Sequence, residues 1–254
     1  MFVPGEKEHP YPRVCAHRGY NTVLPESSLA AFGAAVGLGA PEIELDVRFS
    51  ADEVVVACHD DRLERISDGI GKVGDFTLAE LRKMDFGCRF GDDFKGLRLA
   101  TFEEILAKFS RQTIINMHVK NDSFSAYSRE RFRKIVDLLK KYDAMEHVYI
   151  MADQHVMECA LEIAPEIPRC MSGSPDRWTI VERAIRWNCQ KVQLVSGYFN
   201  QEMIDKAHAN GIRCNVFFCD EPEEACHLLN MGADTILTND YLRVSNAVKD
   251  WQKK

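Results

Sequence analysis

The feature that most constrains this chain is a strand–helix alternation running through nearly all of its 254 residues. Short apolar, β-branched runs fall near residues 13–16, 42–47, 113–119, 148–151, 168–171, 191–195, 213–218 and 235–237. Helical periodicity fits 27–38, 77–83, 102–108, 129–142, 154–164, 180–187, 201–210, 222–231 and 242–251. A helix between two strands returns the chain to the same end of the sheet, so such strands pair in parallel. Eight parallel strands with helices outside imply a closed TIM (β/α)8 barrel, and about 250 residues is the usual size of one. We expect one barrel domain over residues 1–254.

One run breaks the alternation. Val54-Val55-Val56-Ala57-Cys58-His59 follows the second strand after only Ser50-Ala51-Asp52-Glu53. That gap is too short for a parallel crossover, so the run must return antiparallel as a hairpin. Folding about Asp52–Glu53 places His59 roughly opposite Asp46, at the end of the barrel where such enzymes carry their active sites. Residues 60–99 hold Gly69, Gly71, Gly74, Gly87, Gly91 and Gly96. This segment is too long for an ordinary loop and too short for a second domain, which predicts a small inserted subdomain over the barrel mouth.

Composition narrows the class. The formal net charge is −7 with a pI near 5.7, and no Lys/Arg cluster offers a nucleic-acid face. Nine cysteines stand singly, odd in number and without a C-x-x-C pair, which suits reduced thiols in the cytoplasm. Residues 1–12 show no apolar signal-peptide core, and no run approaches the ~20 apolar residues of a membrane span. A soluble, cytoplasmic protein is expected; nothing fixes its oligomeric state.

Four clusters carry the chemistry. His17-Arg18-Gly19 ends the first strand, with Pro25-Glu26 a few residues on; histidine suits proton transfer and arginine offers a fork for phosphate. Glu44 and Asp46 share one face of the second strand, where two carboxylates need a cation between them: a hard divalent ion, or else Arg18 or Arg48. His59-Asp60 arrives by the hairpin. Asn116, His118 and Lys120 share a face of the next barrel strand, and the Phe217-Phe218 pair could wall a pocket.

Together these pieces resemble the glycerophosphodiester phosphodiesterase family over nearly the whole chain. The family pattern is His-Arg-Gly, Pro-Glu-Asn-Thr, Glu-x-Asp, His-Asp, Glu-x-Lys and a Thr-Asp end. This chain reads His17-Arg18-Gly19, Pro25-Glu26-Ser27-Ser28, Glu44-Leu45-Asp46, His59-Asp60 and His118-Val119-Lys120. The resemblance implies hydrolysis of a small phosphodiester to glycerol 3-phosphate and an alcohol, with His17 and His59 as the acid–base pair. It implies a divalent metal on Glu44 and Asp46, Arg18 and Lys120 against the phosphate, and Glu26 orienting Arg18. The nucleophile in such enzymes is water or a neighbouring glycerol hydroxyl.

Three departures bear on the chemistry. His118 replaces the third metal-binding Glu, so the ion is Mg²⁺ or Ca²⁺ by resemblance, and Mn²⁺, Zn²⁺ or Fe²⁺ by the taste of imidazole. As alternatives, His118 is a further proton-transfer group or a packed core residue. Ser27 replaces Asn. Phe217 or Phe218 replaces a Trp and Thr238-Asn239 replaces Thr-Asp, near the expected alcohol pocket. Two other readings stand beside the phosphodiesterase: a divergent barrel acting on another phosphate ester or a glycoside, and a non-catalytic binding barrel.

Overall fold

The structure, a computed structural model, describes residue 5 and residues 8–123, 125–173 and 176–253. Nine strands and nine α-helices alternate among them: β1 Arg13–His17, α1 Leu29–Gly37, β2 Glu42–Phe49, β3 Val55–Ala57, α2 Leu78–Leu81, α3 Phe102–Phe109, β4 Ile114–Val119, α4 Arg129–Lys141 and β5 Val148–Ala152. The second half runs α5 Gln154–Ile163, β6 Arg169–Met171, α6 Ile180–Arg186, β7 Lys191–Val195, α7 Gln201–Ala209, β8 Arg213–Phe217, α8 Pro222–Asn230, β9 Thr235–Thr238 and α9 Tyr241–Trp251. The sheet order is β1-β9-β8-β7-β6-β5-β4-β2-β3, and β1 also pairs with β2. That last pairing closes eight parallel strands into a TIM barrel and leaves β3 as an antiparallel flap on β2.

Strand alternation divides the side chains between two cores. Ile43, Leu45, Val47, Val192, Leu194 and Val216 point outward into one large cluster shared with the helices. The inward positions are largely polar. Arg13, Glu42 and Lys191 meet at the barrel floor, with Glu42 3.6 Å from Arg13 and 3.5 Å from Lys191. The Tyr149 hydroxyl donates to Glu42 at 2.5 Å, and the Lys191 ammonium lies 4.2 Å over the Tyr149 ring. Above the floor Asn116, Gln193 and Asn215 are all buried, and His17, Glu44 and Asp46 complete the mouth layer.

The hairpin differs from the expected register by one residue. Val47 pairs with Ala57, and the Cys58 amide donates to the Asp46 carbonyl, so Cys58 rather than His59 stands opposite Asp46. The cause is the turn. Ser50 N donates to Val54 O, which makes a three-residue loop of Ala51, Asp52 and Glu53, and Glu53 takes the left-handed conformation at φ 61. With a side-chain period of two, Cys58 turns into a separate core under the insert while His59 emerges past the strand end.

Residues 60–99 build that smaller core from Leu63, Val73, Leu81, Phe86 and Leu99, together with Val56 and Cys58. The helix expected over 77–83 is only the turn α2, with Thr77 as a capping-box N-cap and Arg82 as C-cap. Two other bounds also contract. Ser28 Oγ accepts from Ala31 N, so α1 begins at Leu29, and Phe218 falls outside β8 at 46% exposure. Gly211, at φ 70 after α7, takes the C′ position.

Candidate active site

The site begins with how His17 is held. It ends β1, where a tight turn through Gly19 sends the chain outward, and its ring is buried at 6% exposure. Nδ1 lies 2.7 Å from Asn239 Oδ1. The Asn239 side chain is oriented in turn, since its Nδ2 donates to Asp220 Oδ2 and its backbone N–H to Asp220 Oδ1. Asn21 Nδ2 also donates to Asn239 Oδ1. That oxygen can only accept, so His17 Nδ1 carries the proton and Nε2 keeps its lone pair. Nε2 sits 3.8 Å from Glu44 Oε2. Burial, then Arg18, lowers the His17 pKa to about 4, against the pull of Asn239 and Asp46.

Across the mouth, β2 and β4 are paired Glu44 to Asn116 and Asp46 to His118. Glu44, Asp46 and His118 present ligand atoms that all lie within 4.8 Å of one another. Lys120 Nζ approaches Asp46 Oδ1 at 2.7 Å and His118 Nδ1 at 3.0 Å, and His118 Nδ1 is 3.1 Å from Asp46 Oδ1. Despite these close charges, neither Asp46 oxygen has an aligned hydrogen-bond donor. Burial beside Asp46 raises Glu44 to about 8, although Arg18 and Lys120 oppose the rise. Asp46 is buried too, yet Lys120 and His118 hold it well below the carboxylate range. Two carboxylates and one imidazole, with unfilled oxygen lone pairs, fit a divalent cation.

His59 is oriented by its neighbour. Its Nδ1 lies 2.6 Å from Asp60 Oδ1, and Arg65 Nε donates to Asp60 Oδ2 at 2.5 Å. Arg65 and His59 outweigh burial and hold Asp60 at about 2, so it is a carboxylate that accepts from Nδ1–H. Burial lowers the pKa of His59 itself. His17, His59, Glu44, Asp46, His118, Lys120 and Phe217 line one cavity of about 240 Å³. Phe217 packs its ring edge-on to His17 at 5.0 Å.

Two predicted residues stand one step back. Arg18 donates its backbone N–H to Glu44 Oε2, lies 3.6 Å from Asp46 through Nε, and pairs with Glu26 at 3.0 Å. Arg18 and Glu26 both face a neighbouring cavity. Arg48 does not neutralise the carboxylate pair. Its guanidinium donates to the His59 carbonyl and to Asp122, fixing the flap instead.

Sequence reasoning missed Asp220, Asn21, Arg65 and Gln193. The first three act through another residue, and no local pattern announces such a role. Gln193 is 4% exposed, lines the cavity and has no partner for either amide atom. Its inward phase on β7 was the signal available, because polar inward residues near a barrel mouth face the ligand.

A parallel barrel whose mouth joins two oriented histidines to a carboxylate–imidazole cluster able to hold a cation belongs with the hydrolases of the TIM-barrel class. Residues 17–242 match the glycerophosphoryl diester phosphodiesterase family, and the chain belongs to that family. It is 30% identical over 245 residues to the glycerophosphodiester phosphodiesterase of Caldanaerobacter subterraneus subsp. tengcongensis, covering 93% of this chain and 97% of the relative. It is 24% identical over 242 residues to a glycerophosphodiester phosphodiesterase of Bacillus subtilis, covering 88% and 82%. Among solved structures, a phosphodiesterase of Oleispira antarctica in complex with its product sn-glycerol-3-phosphate superposes with a TM-score of 0.85. That structure is 26% identical, and the match covers 94% of this chain and 97% of the other. No helix among the described residues is long and apolar enough to cross a membrane.

Proposed function

We propose that this chain hydrolyses glycerophosphodiesters to glycerol 3-phosphate and an alcohol, with His17 and His59 moving the protons. The observation that carries this is the Asp220–Asn239–His17 chain, which leaves a basic Nε2 lone pair at the carboxylate cluster. His17 takes the proton of the attacking hydroxyl group. His59, held by Asp60 through Nδ1–H and entering the step protonated on Nε2, gives that proton to the leaving oxygen; each transfer typically contributes ~10²–10⁴-fold. Lys120 neutralises phosphate charge from within the cavity, and Arg18 adds positive charge from behind Asp46. Gln193 offers one donor and one acceptor to a substrate hydroxyl. Phe217 walls the His17 side.

Glu44, Asp46 and His118 would hold a divalent ion, which supplies Lewis-acid polarisation of a phosphoryl oxygen. The donor set favours Mn²⁺ or Zn²⁺ over Mg²⁺ or Ca²⁺, because an imidazole stands among the oxygens. Residues 1–254 form one barrel domain in this reading, with 60–99 as its insert, and nine free cysteines suit a reducing cytoplasm.

The test is release of glycerol 3-phosphate from glycerophosphocholine by chelator-treated protein given each ion separately. Turnover that vanishes in His17→Ala and His59→Ala is expected. No release with any of the four ions would overturn the reading.

A further inference from the structure

Beside the catalytic cavity lies a second one of about 330 Å³, between the start of α1 and the insert. Four arginines line it, Arg18, Arg65, Arg89 and Arg98, and Glu26 is the one acidic residue among the lining; Arg65 also pairs with Asp60. Glu26 is already engaged by Arg18 and by both ends of Arg65. Arg89 donates through Nε only to the Ser67 carbonyl, and Arg98 makes no ion pair or hydrogen bond among the described residues. Two cations are therefore left without a counter-charge at one cavity wall.

The opposite wall carries a second, independent sign. Ser27 is 6% exposed, and its Oγ has no hydrogen-bond partner among the described residues. It sits at φ 57, a conformation that costs a non-glycine residue of order 1 kcal/mol or more and persists where the surroundings impose it. It precedes Ser28, the N-cap of α1, which also lines the cavity and opens a nine-residue helix with no acidic residue in its first turn. Phe86, Phe90 and Leu97 supply an apolar side.

We propose that this cavity binds the anionic group, a phosphate monoester or a carboxylate, of a molecule with an apolar body. Arg89, Arg98, the Ser27 hydroxyl and the α1 N-terminus would receive the anion, and the Phe86–Phe90 side its apolar part. Arg18 and Asn239 line this cavity and reach Asp46 and His17 from behind, but neither catalytic histidine lines it. Its existence does not depend on how the catalytic centre works.

The probe is phenyl phosphate, titrated by calorimetry into chelator-treated protein, so that turnover plays no part. Wild type should bind two equivalents. Arg89→Ala/Arg98→Ala, both exposed positions, should weaken one of them by about tenfold or more, as expected for lost charge-assisted hydrogen bonds. Lys120→Met should weaken only the other. Whether wild type takes one equivalent or two, binding by the double variant that equals wild type in number and affinity would overturn the proposal. Kinetics then separates the two sources of the anion. A KM increase in the double variant confined to diesters whose alcohol bears a carboxylate or phosphate assigns it to the substrate. Unchanged KM values, with phenyl phosphate binding lost, assign it to a free ligand.

Discussion

His17 is oriented by a residue that nothing in its own neighbourhood suggests. Asn239 fixes the tautomer by accepting from Nδ1, so removing the acceptor lets the proton occupy the ring nitrogen that must be basic. Asn239→Leu should lower kcat by about 10²-fold with little change in KM, as loss of a single proton-transfer contribution would. Burial also sets the pH response. With its pKa lowered from 6.5 to about 4, His17 stays a free base well below neutrality. With the metal saturating, so that Glu44 does not titrate, the acid limb of kcat/KM should therefore fall only as the pH approaches about 4; a limb near 6.5 under those conditions would contradict the assignment. His118 makes a different prediction. His118→Glu supplies a third carboxylate, and activity with Mg²⁺ or Ca²⁺ should rise relative to Mn²⁺ or Zn²⁺ in a metal add-back series.

Elements place these residues, and two turns decide where. The β1–α1 turn needs Gly19, at φ 84, because a Cβ there would lie 2.6 Å from the Ala31 carbonyl carbon and 2.8 Å from Ala31 Cβ. Gly19→Ala should cost about 2–3 kcal/mol in urea unfolding, combining left-handed strain with a backbone clash. The three-residue loop before β3 shifts the flap by one residue and so decides that Cys58 is buried and His59 is not. That hairpin was legible from the run of valines, and the direction of the flap followed. The register was not legible, because two- and three-residue loops both suit Ser50–Glu53 and only the closed Ser50–Val54 pair distinguishes them.

The barrel as a whole is held by a charged floor. Arg13, Glu42, Lys191 and Tyr149 are completely or almost completely buried together, and Glu42 is the carboxylate that both Arg13 and Lys191 share. Breaking such a group leaves an uncompensated charge, so Glu42→Gln should cost about 3–5 kcal/mol of stability by denaturant unfolding. The two mouth histidines tie stability to pH. His17 and His118 are both lowered to about 4 by burial, so at these two groups the folded state binds fewer protons than the unfolded state between about 4 and 6.5, while the raised Glu44 acts in the opposite sense. Their contribution is complete above 6.5 and is lost as the pH falls toward 4; melting temperatures of the chelated protein over that range measure it.

The sequence by itself determined the barrel, the flap, the insert, the clusters at the strand ends and the family they resemble. It could do so because strand and helix periods are local, and because a residue's phase on a strand says which face it joins. Only the tertiary structure decided that Asn239 and Asp220, more than 200 residues along the chain, orient His17. It also sent Arg48 to the flap and Asp122 rather than to the carboxylates, and it set a second, arginine-lined cavity behind Arg18. The physical reason is one of range. Hydrogen-bond partners and shared cavities depend on which strand ends closure brings side by side, and that is fixed when β9 closes on β1.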